Sequence, residues 1–405
     1  MTSFDTSPQL NVWRMLLALA VVFVMLATTG WTALRSHRES TALQASLTAW
    51  EEGSVHGHRL PDPQAAPAEL TRFFAALTAV ERTDLAHRFP LAVGNMNGAP
   101  VELRYRANRI ALNDARKAEK KRMHDSRLTP AGQQLAGRRM HRYEALLTKG
   151  RHILAFDPEG SGRLAEVFGS LSKAERISVV VPGVDTDLLT FQKTKRKYSA
   201  TAGMAEALHA AERKASPSTR TAVIAWADYT APDGLGVDAA TAMRAEDGAV
   251  RLNALLRALP GMAPVSMFCH SYGSVVCGVA ARGMPGRVVD IAVAASPGMR
   301  VAKADHLGTG ARVWAMRDAT DWVQDVPYLE VGGLGHGADP VSSGFGARVL
   351  SARDAEGHAG YFEPGTDSLR NFADIGVGAY RSVTCAHEDD GCRTGLPGAT
   401  AAKRA

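Results

Sequence analysis

The 405-residue chain carries only four cysteines, and none of them has the second pair that a zinc site needs. It has no zinc-finger spacing, no aromatic RNA-binding signature and no recognition-helix pattern. It also lacks internal repeats and low-complexity arrays. These absences set aside a structural-metal domain, a solenoid and a nucleic-acid-binding module. No metal or cofactor is expected.

Charge is present but unevenly spread. Between Glu102 and Arg151 there are fourteen Lys/Arg against five Asp/Glu, an excess of +9, so a total of +6 leaves −3 for everything else. The stretch 106–127 reads as a charged helix with little apolar face, either extended into solvent or lying along something acidic. Near the N-terminus, Met15 to Leu34 is a run of twenty residues without a charge, bounded by Arg14 and Arg35. At about 1.5 Å per helical residue it matches the hydrocarbon thickness of a bilayer, with Trp13 and Trp31 at its two ends. The expectation is a single transmembrane anchor. A cleaved signal peptide is the alternative, although its basic region is thin and its small-residue cleavage pattern poor. Arg35 and Arg38 favour a cytoplasmic side for the remainder. Cys385 and Cys392, bracketing a short polar loop, have the spacing of a small disulfide and favour an oxidising compartment. An extracytoplasmic domain is expected, with a secreted or a cytoplasm-facing protein as alternatives.

Four segments follow: a tail and membrane span at 1–35, a helical basic region at 36–170, an α/β catalytic domain at 171–384 and a tail at 385–405. In the third, apolar runs at 177–183, 221–226, 265–270, 288–296, 312–316 and 347–352 alternate with helical stretches near 200–214, 239–258 and 272–283. Continuous apolar strands separated by helices predict a doubly wound, mainly parallel sheet covered on both faces.

Ligands in such sheets collect at the C-terminal ends of the strands. The chain has three Ser-x-Gly triplets, at Ser271, Ser296 and Ser342. Only Ser271 lies directly between an apolar strand and an uninterrupted helical run, the strand–turn–helix context that projects a nucleophilic hydroxyl. A serine nucleophile of this kind is followed in the chain by an acid and then a histidine. Asp318, Asp321 and Asp325 follow the strand at 312–316, and His358 follows the last one. Asp321 is the preferred acid and Asp318 the alternative. His336 stands before the last strand, early for the base, and is assigned a structural or substrate-facing role. Donors for a developing oxyanion are expected from the amides of Tyr272 and of Val184, the latter in the loop "VVVPGVDTD".

The segments "HILAFDPEGSGRLAEVFG", "VVVPGVDTD", "CHSYGS", "LGHGADP", "FGARVLSA", "GHAGYF" and "SLRNFADI" occur in order. Over roughly residues 70–380 the chain resembles actinobacterial α/β hydrolases catalogued as a domain of unknown function. The resemblance implies an α/β-hydrolase core with a helical N-terminal region, and a triad of Ser271, an aspartate in "DATDWVQD" and His358. One position departs from the usual elbow: Cys269 stands where glycine is expected. Cysteine is read there as a small buried side chain that slightly relaxes the turn. The expected function is a membrane-anchored serine hydrolase acting on a small-molecule or lipid ester. An acyltransferase with the same residues, or a non-catalytic surface-binding module, is the alternative. No nucleic-acid partner is expected.

Overall fold

A computed structural model describes residues 41–386 and 390–396. The expected span at 15–34 lies outside the described residues, among which no helix is long and apolar enough to cross a membrane.

The helical region opens with α1 (Ala42–Glu51), a small hairpin of β1 (Ser54–Val55) and β2 (His58–Arg59), then α2 (Pro67–Ala76), α3 (Ala79–Arg88) and α4 (Pro90–Asn95). These bury a core around Trp50, Phe74, Leu85 and Phe89. Thr78 starts α3 with a capping box closed by Glu81. Then come α5 (Val101–Arg122) and α6 (Pro130–Leu146). The charged helix, expected to have little apolar face and to extend into solvent or lie along something acidic, instead packs one side into the protein. Leu103, Ala107 and Ala111, four residues apart, are buried, and so are Arg104, Asn108 and Leu112 beside them. Two polar side chains within the stripe hide it from a hydropathy reading. Their donors are used inside the protein: Arg104 Nε donates to the Gly94 carbonyl, and Asn108 Nδ2 to the carbonyls of Gly94 and Ile153.

A second correction concerns the end of this region. Residues 152–169, read as helical, form the antiparallel strands β3 (His152–Asp157) and β4 (Arg163–Gly169). They belong to the main sheet, so the sheet starts earlier than residue 171. Asn95 exchanges two hydrogen bonds with the Phe156 backbone and caps part of the unpaired edge of β3.

The remaining elements are β5 (Arg176–Val181), α7 (Thr201–Ala215), β6 (Thr221–Ala227), α8 (Val237–Ala240), α9 (Met243–Ala258), β7 (Val265–His270), α10 (Gly273–Ala280), β8 (Val288–Ala294), β9 (Arg312–Met316), β10 (Glu330–Val331), β11 (Leu334–Gly335), β12 (Arg348–Val349) and α11 (Asp367–Val377). Eight strands make one sheet in the order β12-β9-β8-β7-β5-β6-β4-β3, parallel except at β3 and β4. Side chains alternate between two cores. Val180, Phe268, Ala292 and Trp314 face one, with α7 and α11. Val179, Val181, Met267, Cys269 and Ile291 face the other, with α9 and α10. The expected doubly wound, mainly parallel architecture is therefore present. The chain goes from β5 outward to β6, then back past β5 to β7, so the strand order reverses at the β5/β7 pair. Open α/β sheets leave a crevice at such a switch point.

At the opposite, N-terminal end of these strands lies a polar cluster. The fully buried carboxylate of Asp290 accepts hydrogen bonds from Ser266 (3.1 Å), Arg312 (2.7 Å), Trp314 (3.0 Å) and Tyr380 (2.9 Å). It ties β7, β8 and β9 to the segment after α11.

Candidate active site

β7 ends at His270 and α10 begins at Gly273, so Ser271 must reverse the chain within two residues. It does so with φ of +54°, in the left-handed region that a non-glycine residue occupies only where the surroundings enforce it. Close approach enforces it here. A Cβ on Gly273 would run into the carbonyl of Val181, so only glycine lets α10 pass so near β5. A Cβ on Gly183 would lie 2.6 Å from Ser271 Cβ and 2.9 Å from its Oγ. The Pro182–Val184 backbone therefore lies directly over the serine.

The reading of Cys269 needs correction. The side chain is buried as expected, but it does not stand alone: it forms a disulfide with Cys277 in α10, eight residues on. The bond clips the last turn of β7 to the helix that follows the serine. An even cysteine count, with one cysteine at the glycine position of the elbow, was the signal that could have revealed it. Cys385 and Cys392 also form the disulfide their spacing suggested. Replacing Cys269 and Cys277 together by alanine is expected to cost about 2–3 kcal/mol, the chain-entropy value for so short a loop. The denaturant midpoint measures it, and an unchanged midpoint would contradict a stabilising clip.

Ser271 Oγ lies 2.8 Å from His358 Nε2, and His358 Nδ1 lies 2.8 Å from Asp321 Oδ1. An ionised carboxylate only accepts, so Nδ1 carries the proton and Nε2 is left to accept from the serine hydroxyl. Burial alone would raise the Asp321 carboxyl. Hydrogen bonds from His358, from Tyr361 Oη (2.6 Å) and from the Val323 amide (3.0 Å) outweigh it and hold the group below its ordinary value. The structure thus brings together Ser271, Asp321 and His358. The alternative acid, Asp318, accepts from Thr320 and from the Gly357 amide and does not touch His358. Asp325 is exposed. His336 bonds the Ala239 carbonyl at 2.7 Å and meets the Tyr272 ring edge-on, 5.6 Å between centroids, so it supports the surrounding loops. Ser296 caps its own turn through Gly298, and Ser342 bonds the Asp339 carbonyl.

The Ser271 amide is consumed by the Ala294 carbonyl, whereas those of Tyr272 and Val184 have no backbone acceptor among the described residues. Both lie where the 182–184 segment crosses the elbow. Tyr229 Oη, buried, donates to the Pro182 carbonyl at 2.8 Å and holds that segment in place.

Three supporting residues escaped the sequence reading. Tyr361 donates to Asp321 and accepts from the Asp318 amide (2.8 Å), joining the acid loop to the histidine loop. Trp322 lies against the His358 ring, 4.5 Å between centroids. His270 Nε2 donates to the His358 carbonyl at 2.6 Å. Burial, together with the neighbouring His358, lowers the His270 pKa from 6.5 to about 4, so it is neutral at physiological pH. A pKa lowered on folding gives stability that is complete above 6.5 and lost as pH falls towards 4. Between pH 7 and pH 4.5 the wild type should lose about 2–3 kcal/mol more than His270→Gln. Parallel urea titrations at the two pH values measure the difference, and equal losses would contradict a neutral buried imidazole.

A family model described as Alpha/beta hydrolase matches residues 157–331. An uncharacterized protein of Mycobacterium tuberculosis, Rv2079, is 28% identical over 380 residues, covering 79% of this chain and 57% of its own length. A second from that organism, Rv0963c, is 35% identical over 147 residues, covering 35% of this chain and 54% of its own. The chain thus spans little more than half the length of these relatives. Among solved structures, the dienelactone hydrolase of Anabaena variabilis aligns with a TM-score of 0.30 and 15% identity, covering 56% of this chain and 94% of that one.

Proposed function

This chain is a relative of an actinobacterial α/β-hydrolase family of unassigned function, and from that premise we propose that it is a serine hydrolase that cleaves carboxylic esters. One observation carries the reading: an unbroken hydrogen-bond chain runs from a left-handed serine at a strand–helix turn, through a histidine, to a buried aspartate. As an ester carbonyl meets Ser271, His358 Nε2 takes the hydroxyl proton while Oγ bonds the carbonyl carbon. Asp321 keeps the imidazole in the productive tautomer and stabilises the imidazolium. The amides of Tyr272 and Val184 receive the oxyanion. His358 then returns the proton to the departing alcohol, leaving an acyl group on Ser271. Water, deprotonated by the same histidine, releases the acid and restores the serine.

Purified protein is expected to release 4-nitrophenolate from a butyrate ester with saturation kinetics, and phenylmethanesulfonyl fluoride should block the release. A folded protein inert towards a panel of acyl esters would overturn the reading. Two disulfides support an oxidising compartment, consistent with an extracytoplasmic domain held by the apolar segment at 15–34. Protease added to intact cells should then degrade the domain. Protection until lysis would place it in the cytoplasm.

A further inference from the structure

Ordinary surfaces scatter their exposed apolar side chains, and a concentration of them marks a binding surface. Of the eleven large apolar residues exposed among the described residues, six lie on two connections at the C-terminal ends of the strands: Leu235 and, opening α8, Val237 after β6, and Trp322, Leu329, Val331 and Leu334 after β9.

The second loop is built the wrong way round for a water-facing hairpin. β10 and β11 pair antiparallel across Gly332 and Gly333, both at positive φ, with Val331 opposite Leu334 and Glu330 opposite Gly335. Side chains alternate along a strand, so Leu329, Val331 and Leu334 share one face while Glu330 occupies the other. Glu330 bonds Arg300 at 2.7 Å, and Arg300 also holds the Gly335 carbonyl at 2.5 Å. The charged face is therefore tied to Arg300, although Glu330 keeps 37% of its side chain exposed. The apolar face stands in solvent, with Leu329, Val331 and Leu334 at 51%, 69% and 53% exposure.

Both loops are anchored beside the nucleophile. Tyr272, next to Ser271, donates to the Thr241 carbonyl at 2.7 Å. His336, directly after β11, touches the Tyr272 ring and bonds Ala239, which joins the hairpin to the first loop. On the other side Trp322 lies on His358 with 42% of its surface exposed. The carboxylate of Asp238 is neutralised by Arg244 at 2.8 Å, as that of Glu330 is by Arg300. The rim beside Ser271 thus offers apolar side chains, and the carboxylates adjoining Val237 and Val331 are already paired.

We propose that this rim is the acyl-chain site and that the substrates are esters of medium or long acyl chains. The inference rests on the serine-hydrolase reading above. An ester carbonyl seated at Ser271 sends its acyl chain across Trp322 or the Tyr272 side towards the hairpin, where its methylenes leave water against Leu329, Val331 and Leu334. Each methylene fully buried is worth about fourfold in kcat/KM. On a half-open rim, lengthening the acyl chain from two to eight carbons is expected to raise kcat/KM by about 10²-fold.

The test is a 4-nitrophenyl ester series from acetate to octanoate, each kept below its aggregation limit so that adsorption to micelles does not contribute. The Val331→Ser/Leu334→Ser double variant should lower the octanoate-to-acetate ratio of kcat/KM about tenfold. Val80→Ser, as exposed but on α3, should leave that ratio as in the wild type, and matching thermal melts establish folding. A small fluorophosphonate reports the nucleophile independently of chain length. Labelling of the wild type with a flat chain-length profile, or with a ratio unmoved in the double variant, overturns the acyl-chain site alone. Failure of the folded wild type to label overturns the serine-hydrolase reading and this inference with it.

Discussion

Asp321→Asn is expected to lower kcat for ester hydrolysis by about 10⁴-fold without unfolding the protein. Asp321 Oδ1 accepts from both His358 Nδ1 and the Val323 amide, and Oδ2 accepts from Tyr361. An asparagine must present a donor at one of these places. If its amide nitrogen faces His358, the imidazole proton moves to Nε2, which can then no longer accept from Ser271. If the nitrogen faces Tyr361, the tautomer survives, but the imidazolium formed during attack loses its counter-charge. Both orientations depress turnover. Asp318→Asn is the control: its carboxylate touches Thr320 and the Gly357 amide but not His358, so its kcat should stay within about tenfold of wild type. A 10⁴-fold loss from Asp318→Asn, with Asp321→Asn nearly active, would transfer the role to the other aspartate.

Asp290→Ala is expected to do the reverse, costing about 3 kcal/mol or more of stability while a folded sample keeps its kcat. Removing one member of a buried ion pair leaves the other charge uncompensated, which typically costs about 3–5 kcal/mol. The lower end applies because Arg312 retains 25% side-chain exposure and can recruit some water. Ser266, Trp314 and Tyr380 lose an acceptor in the same substitution. Urea denaturation measures the loss. A midpoint shift below about 1 kcal/mol would mean that these groups re-pair among themselves.

These two aspartates mark what could be read from the sequence and what could not. Strands β5 to β9 were legible because parallel strands covered on both faces are apolar throughout and stand out between helices. Ser271 was legible because a serine between such a strand and an immediate helix has few other local explanations. Asp321 and His358 followed from their order after successive strands. Asp290 sits inside an apolar run, and nothing local announces that four donors from distant segments converge on it. The β3–β4 hairpin left a usable signal, two six- or seven-residue runs around "DPEGSG", but the surrounding helical sequence masked it. The apolar stripe of α5 was interrupted by Arg104 and Asn108, whose partners lie on α4 and β3. The Cys269–Cys277 bond depends on how closely α10 packs back on β7, a tertiary distance that spacing alone does not reveal. The inverted face of the β10–β11 hairpin likewise depends on where Arg300 sits.

The most direct test of the account is intact-mass analysis after reaction with a small fluorophosphonate. The wild type should gain a single adduct, mapped by peptide sequencing to Ser271, and folded Ser271→Ala should gain none. An unlabelled wild type, or an adduct that persists in Ser271→Ala, would contradict the claim that Ser271 is the nucleophile.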